Sequence, residues 1–208
     1  MLRGWALAEQ GQGEEGITQI HQGLAAHRAL GAELALTWFL SMLAKAYWAG
    51  SQSEDVLHVL TEALDAVDKR GERAYEAELY RLKGELTLAQ SSVQRLASSV
   101  QTNQKAKACP ELSRRGKRQK AKITNPQLLT PNPQTEAEEY FWKAIEIARR
   151  QHAKSLELRA VMSLSRLWQQ QGKKEEARKM LAEIYNWFTE GFDTVDLKEA
   201  KALLEQIT

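Results

Sequence analysis

An all-α chain, folded as a solenoid of about four stacked helical hairpins, is the architecture this sequence predicts, and three observations carry the prediction. Outside residues 91–134, apolar residues recur at three- and four-residue spacing in segments rich in Ala, Leu, Glu, Lys and Arg, which lays an apolar stripe along a helix. No segment offers the competing alternation of a strand. A pattern of small residue, bulky residue and Gly-containing break returns about every forty residues, and a fixed period of roughly 20–50 residues marks stacked supersecondary units.

The clearest unit runs from Thr37 to Leu64. Leu40, Leu43, Ala44 and Tyr47 lie on its first helix, Gly50 and Ser51 break it, and Val56, Leu60 and Ala63 lie on the second. One period earlier come Gly4 and Leu7, a break at Gly11 and Gly13, then Gly16, Ile20 and Gly23. One period later the first helix returns as Tyr80, Gly84 and Thr87, but its second helix, Ala137, Phe141 and Ala144, aligns only after 41 residues are skipped. The last unit has Val161, Leu164, Ser165 and Trp168, a break at Gly172, then Ala177, Leu181 and Ile184. Two helices cross closely where their residues are small, as at Ala44, Gly84, Ser165, Ala137, Ala144 and Ala177, while Tyr47, Phe141 and Trp168 fill the seam. Longer helices, or longer turns between repeats such as those around Gly31 and Gly71, are expected to absorb the long period.

The skipped segment differs from its surroundings. Residues 91–134 contain nine Lys or Arg, a single acidic residue (Glu111) and all four prolines, Pro110, Pro126, Pro131 and Pro133. Proline disfavours helix, and so low an apolar content does not repay the entropy of ordering. A long, basic, disordered insertion in the turn of the third hairpin is expected. The organisation read from the sequence is therefore repeats over 1–90, the insertion over 91–134, repeats over 135–192, and a C-terminal capping helix over 193–208, apolar at Val195, Leu197, Ala200, Leu203, Leu204 and Ile207. The first repeat begins in mid-helix, so the chain reads as the tail of something larger, with an exposed edge through which it is expected to self-associate.

The repeated pattern resembles the tetratricopeptide repeat, with a period of forty in place of about 34. A second resemblance rests on Gly4-Trp5-Ala6-Leu7-Ala8, on Glu78-Leu79-Tyr80-Arg81-Leu82-Lys83-Gly84-Glu85-Leu86, and on residues 157–207 with Leu158-Arg159-Ala160, Arg166-Leu167-Trp168, Gln171-Gly172-Lys173 and Trp187-Phe188-Thr189-Glu190-Gly191-Phe192-Asp193-Thr194. Together these look like the tetratricopeptide region at the C-terminus of bacterial multidomain signalling ATPases, many of which carry an adenylate/guanylate cyclase domain. That resemblance implies a sensory or regulatory tail that recruits a protein partner; a cytoplasmic location is expected separately, from the lack of a membrane-spanning run and of a leader pattern at Met1–Trp5. It carries over no catalytic residue, because the chain has no Gly-rich phosphate loop and no cyclase Asp pair.

Composition narrows the function further. No apolar run reaches the roughly 18–20 residues of a membrane span. One cysteine, Cys109, excludes an internal disulfide, and His21, His27, His58 and His152 lack metal-ligand spacing. Neither a metal nor a cofactor is expected. Three acidic pairs, Glu14/Glu15, Glu138/Glu139 and Glu175/Glu176, are read as complements to the dipoles at the starts of second helices rather than as catalytic carboxylates. Trp142, Trp168 and Trp187 fall on the core periodicity. Trp5, Trp38 and Trp48 do not, and on the repeat alignment they share the inner face of the first helices with Lys45, Glu78, Arg81, Glu85, Arg159, Arg166 and Gln169. Aromatic and Arg side chains carry most interface energy, so this face is the expected site for a protein or peptide. The same face offers no Asn for a clamp on a terminal carboxylate. A different class of function would use the basic run Arg114, Arg115, Lys117, Arg118, Lys120 and Lys122 to hold phosphate backbones, though the run lacks interleaved aromatics. A remnant fragment without a function of its own is the third reading.

Overall fold

The computed structural model of the chain describes residues 1–31, 34–107 and 132–207, and among them it has helices and no strand. The helices are α1 (Leu2–Glu9), α2 (Gly13–Ala29), α3 (Leu36–Ala49), α4 (Ser53–Arg70), α5 (Glu76–Lys107), α6 (Pro133–Arg150), α7 (Lys154–Gln170), α8 (Lys174–Tyr185) and α9 (Val195–Ile207). Consecutive helices pair as the hairpins α1/α2, α3/α4, α5/α6 and α7/α8, each hairpin stacks on the next, and α9 packs on α7 and α8. Each odd-numbered helix also touches the next odd-numbered one. The odd helices therefore form one continuous layer, whose free side is called the inner face below.

Similar chemistry ends several of the helices. One residue past the C-cap of α7, Gly172 adopts φ +82°, and the next amide, Lys173 N, returns to Trp168 O at 2.9 Å. Gly11 does the same after α1, with Gln12 N on Leu7 O at 3.0 Å. Such a left-handed residue satisfies carbonyls that the helix end would otherwise leave open. After α3 and α6 the position is taken by Ser51 (φ +58°) and His152 (φ +56°).

Small residues sit where helices cross, as the periodicity requires. Ala44, Ala137, Ala144, Ser165 and Ala177 are fully buried. Backbones meet where α1 crosses α2, and a Cβ built on Gly16 would lie 2.6 Å from the carbonyl oxygen of Gly4 and 2.7 Å from the amide nitrogen of Ala8. Backbone cannot yield as a side-chain tip can, so Gly16→Ala is expected to cost about 1–3 kcal/mol through overpacking, despite the better helix propensity of Ala. Hydrogen exchange should show α1 opening faster with α7–α9 unchanged. Unaltered exchange in α1 would count against this account of the crossing.

Two large hydrophobic cores result, with a small cluster of Ala77, Ile147 and Ala148 beside them among the described residues. One gathers Ile20, Leu24, Leu40, Leu43, Val56 and Leu60 with Leu79, Leu82 and Leu86 of α5. The other centres on Phe141, Ile145, Leu158, Leu164, Leu167 and Leu181 and extends to Leu197, Leu203 and Ile207 of α9. Helix α5 belongs to both, because Gly84 lies against the ring of Phe141.

Several sequence expectations need correction. Helix α5 continues to Lys107, beyond residue 90 where the insertion was expected to begin. No Pro or Gly stands between Gly84 and Pro110, so nothing local stops it. The insertion's Cys109 and its run Arg114–Lys122 lie outside the described residues. At the far side of the insertion, Asn132 caps α6 by accepting from the amide of Gln134 at 3.1 Å, with Pro133 in the first turn. This early start moves Glu138 and Glu139 out of the first turn, which holds Glu136 instead. Of the three tryptophans assigned to the core, only Trp168 is buried. Trp142 is 39% exposed and Trp187 58%. Trp142 packs edge-on to Trp168 with ring centroids 6.0 Å apart, and Trp187 packs on Phe188 at 5.2 Å. Longer helices, one of the two expected ways, take up part of the long period, with α2, α4, α6 and α7 at 17, 18, 18 and 17 residues. No described helix is long and apolar enough to cross a membrane.

Candidate functional site: the ion network of the inner face

Glu78 lies in the first turn of α5, where a carboxylate is favoured by the helix dipole. The stack buries it completely on the inner face between α3 and α7. A buried carboxylate survives only if paired and hydrogen-bonded, and Glu78 has cations from three helices. Lys45 Nζ of α3 lies 2.6 Å from Oε1. Arg81, one turn along α5, donates from Nε to Oε2 at 2.8 Å and from its Nη2 to Oε1 at 3.1 Å. Arg159 of α7 approaches Oε1 to 3.8 Å. Burial by itself would raise the carboxyl pKa. The Arg81 guanidinium and the Lys45 ammonium outweigh that effect and hold it at about 2. Burial likewise opposes the charge of Arg81, and Glu78 with Glu85 raises its pKa above the ordinary guanidinium value.

The network runs on from this centre. Arg81 Nη1 donates to Ser163 Oγ at 3.3 Å, and that hydroxyl donates to Glu85 Oε1 at 2.6 Å, tying α5 to α7. Arg159 Nε donates to Asp196 Oδ2 at 2.8 Å, and Arg166 Nη2 donates to Glu199 Oε2 at 3.1 Å, tying α7 to α9. Lys45, Glu78, Arg81, Arg159, Met162, Arg166, Asp196 and Glu199 line an open cavity of about 200 Å³.

The expected site residues thus divide. Lys45, Glu78, Arg81, Glu85, Arg159 and Arg166 meet in this network. Trp5, Trp38, Trp48 and Gln169 do not line its cavity. Trp38 packs at the start of α3, its ring stacked on Phe39 at 5.2 Å and on Tyr75 at 6.0 Å. Trp48, at the end of α3, lines a separate cavity of about 580 Å³ between the α3–α4 turn and Ala89, Gln90 and Val93 of α5. Trp5, on α1, is 37% exposed. Ser163, Asp196 and Glu199 were not foreseen. Ser163 resembles any small seam residue in sequence, and Asp196 and Glu199 belong to a helix outside the repeat register. The shared i, i+3 spacing of Asp196 and Glu199, on the face flanking Leu197 and Ala200, was the one available signal.

Elsewhere polar pairs have structural explanations. Trp168 Nε1 donates to Glu138 Oε1 at 2.9 Å, with Lys173 Nζ 3.7 Å from the other oxygen. His21 and Tyr47 share a hydrogen bond of 2.7 Å between α2 and α3. Among the described residues, no three His, Cys, Asp or Glu side chains gather as metal ligands would.

No protein-family model matches the chain, and no curated protein matches it in sequence. Solved structures match it in fold. One is the crystal structure of nearly identical TPR-like repeats of a Podosopora anserina protein assigned as a kinesin light chain, at TM-score 0.56 and 16% identity over 98% of this chain and 81% of that one. Another is a point variant of those repeats, at TM-score 0.54 and 16% identity over 98% of this chain and 89% of that one. These likenesses show the fold, and the chain is a TPR-like helical-hairpin solenoid.

Proposed function

We propose that the chain is a non-catalytic protein–protein interaction module that works through its inner face, and that it serves as the sensory or regulatory tail of a bacterial signalling ATPase or cyclase in the cytoplasm. The observation that carries the interaction reading is the convergence of cations from α3, α5 and α7 on one open cavity around a buried carboxylate. A stack held together by its apolar seams has no need of this arrangement, since hydrophobic residues of similar volume usually stabilise at least as well as buried ions. The link to a signalling ATPase rests on the sequence resemblance over Glu78–Leu86 and residues 157–207. Solenoids of this kind present long surfaces on which extended or helical segments dock.

Photo-crosslinking in the cells that encode the chain tests this proposal. A benzophenone side chain replaces Gln169, beside the network, in one variant and the exposed Glu183 of α8 in another. The expected result is a discrete adduct from position 169 alone, and mass spectrometry should place a nucleotide-binding polypeptide in it. The same adducts from both positions, or none from 169, would sink the inner-face reading. A discrete adduct without a nucleotide-binding protein would sink only the ATPase context.

A further inference from the structure

The cavity's charges come from two different sources. Everything that the repeats themselves contribute to its charged lining is cationic, namely Lys45, Arg81, Arg159 and Arg166, apart from Glu78, which lies wholly buried beneath them. The accessible carboxylates in the lining, Asp196 and Glu199, come from α9. They stand one turn apart and lie on Arg159 at 2.8 Å and Arg166 at 3.1 Å. The molecule therefore shows what chemistry fits these arginines: a pair of carboxylates spaced i, i+3 on a helix.

Neither carboxylate is needed to hold α9 in place. Leu197, Ala200, Leu203 and Ile207 of α9 are buried in the C-terminal core. Neither ion pair is fully buried, Arg166–Glu199 being 44% and 53% exposed and Arg159–Asp196 33% and 28%, and partly exposed pairs add little to stability. They are correspondingly easy to exchange. A guanidinium that loses one carboxylate and gains another, held bidentately, stays paired, and the carboxylate it releases turns to water.

We infer that this cavity is the docking point for an acidic helical segment of a partner protein, and that Asp196 and Glu199 keep it self-occupied until such a segment displaces them. The inference rests on the inner-face reading above and adds the partner's chemistry and a threshold for binding. A partner with a single carboxylate competes poorly with the resident pair. One with two or more at helical spacing replaces both contacts and reaches Lys45 as well.

Fluorescence anisotropy with the full chain tests it, using a labelled Ala-rich helical peptide that carries Glu at i, i+3 spacing and a matching Lys peptide. Asp196→Asn/Glu199→Gln should bind the Glu peptide about three- to tenfold more tightly than the unsubstituted chain, since both arginines are freed at once from resident carboxylates whose pairs are each worth little singly. Glu183→Gln/Glu205→Gln makes the same change in net charge on exposed positions away from the cavity and should change affinity less than about twofold, as long-range charge is screened by salt. Adding Arg166→Ala to Asp196→Asn/Glu199→Gln should abolish the gain. Circular dichroism melts within a few degrees of one another would show that the variants share a fold. Equal gains in the two double variants, or no binding of the Glu peptide by any of them, would overturn the inference. Binding of the Lys peptide that depends on Asp196 and Glu199 would overturn it too, while leaving the inner face as an interaction surface for a basic partner. The crosslinking experiment decides the broader reading independently.

Discussion

Glu78→Ala is expected to lower the stability of the array by about 3–5 kcal/mol, the cost of removing one partner from a buried ion pair. The substitution takes the buried carboxylate from Lys45 and leaves Arg81 and Arg159 with only their more exposed partners, Glu85 and Asp196. For a domain whose total stability is on the order of 5–15 kcal/mol, that is a large share. Urea titration monitored by circular dichroism measures it. Glu78→Gln keeps the volume and a hydrogen-bond acceptor but not the charge, and should fall between wild type and Ala. The pH dependence has a definite sign. The carboxyl stands at about 2 in the folded chain against 4.5 for the ordinary group, so the folded state favours the ionised form. The resulting stabilisation, of order 3 kcal/mol, is fully present above about pH 4.5 and is lost as pH falls through about 2. The difference between wild type and Glu78→Gln should accordingly be constant from pH 7 to 5 and shrink steadily in more acidic buffer. A difference independent of pH would mean that the carboxylate's charge contributes nothing to the fold.

What the sequence disclosed and what it withheld divide along a physical line. Periodicity reports which residues face a neighbour, so the hairpins, their order and the small residues at their crossings were all legible. The alignment placed Gly84 and Phe141 at seam positions of one hairpin although 41 extra residues stand between its halves. Periodicity does not report which neighbour a side chain meets. Trp38 and Trp48 share an alignment face with Lys45, yet Trp38 stacks on Tyr75 from the next connection and Trp48 turns to the α4–α5 cleft. Helix starts were misplaced where the cap was hidden in the insertion, and Asn132 with Pro133 reassigned Glu138 from the dipole of α6 to the indole of Trp168. The half of the candidate site that lies on α9 was invisible for a related reason. A capping helix obeys no repeat, so its register against α7 is fixed by Leu197 and Ala200 entering the core, and only the folded chain shows Asp196 and Glu199 landing on the arginines.

Phe141→Ala should be as damaging as the loss of Glu78, at about 3–5 kcal/mol, because a wholly buried ring is removed from the centre of the C-terminal core and the cavity left behind is lined by rigid helices. Its partner across the seam makes the more discriminating experiment. A Cβ on Gly84 would lie 2.6 Å from Cε1, 2.9 Å from Cδ1 and 3.1 Å from Cζ of Phe141. In a helix interior, Gly→Ala normally stabilises by about 1 kcal/mol. Here the ring cannot move away, since it is itself packed on every side, and Gly84→Ala should instead destabilise by about 1–3 kcal/mol. Once Phe141 is truncated the obstruction is gone and the new methyl fills part of the void. Gly84→Ala introduced into Phe141→Ala should therefore stabilise, and the sign of one substitution inverts with the identity of one residue 57 positions away in the chain. A double-mutant cycle by urea titration should give a coupling energy of at least about 2 kcal/mol, toward the upper end of what contacting residues show. Additive effects would mean that α5 and α6 do not meet through this pair, and that the third hairpin closes across its insertion by some other contact.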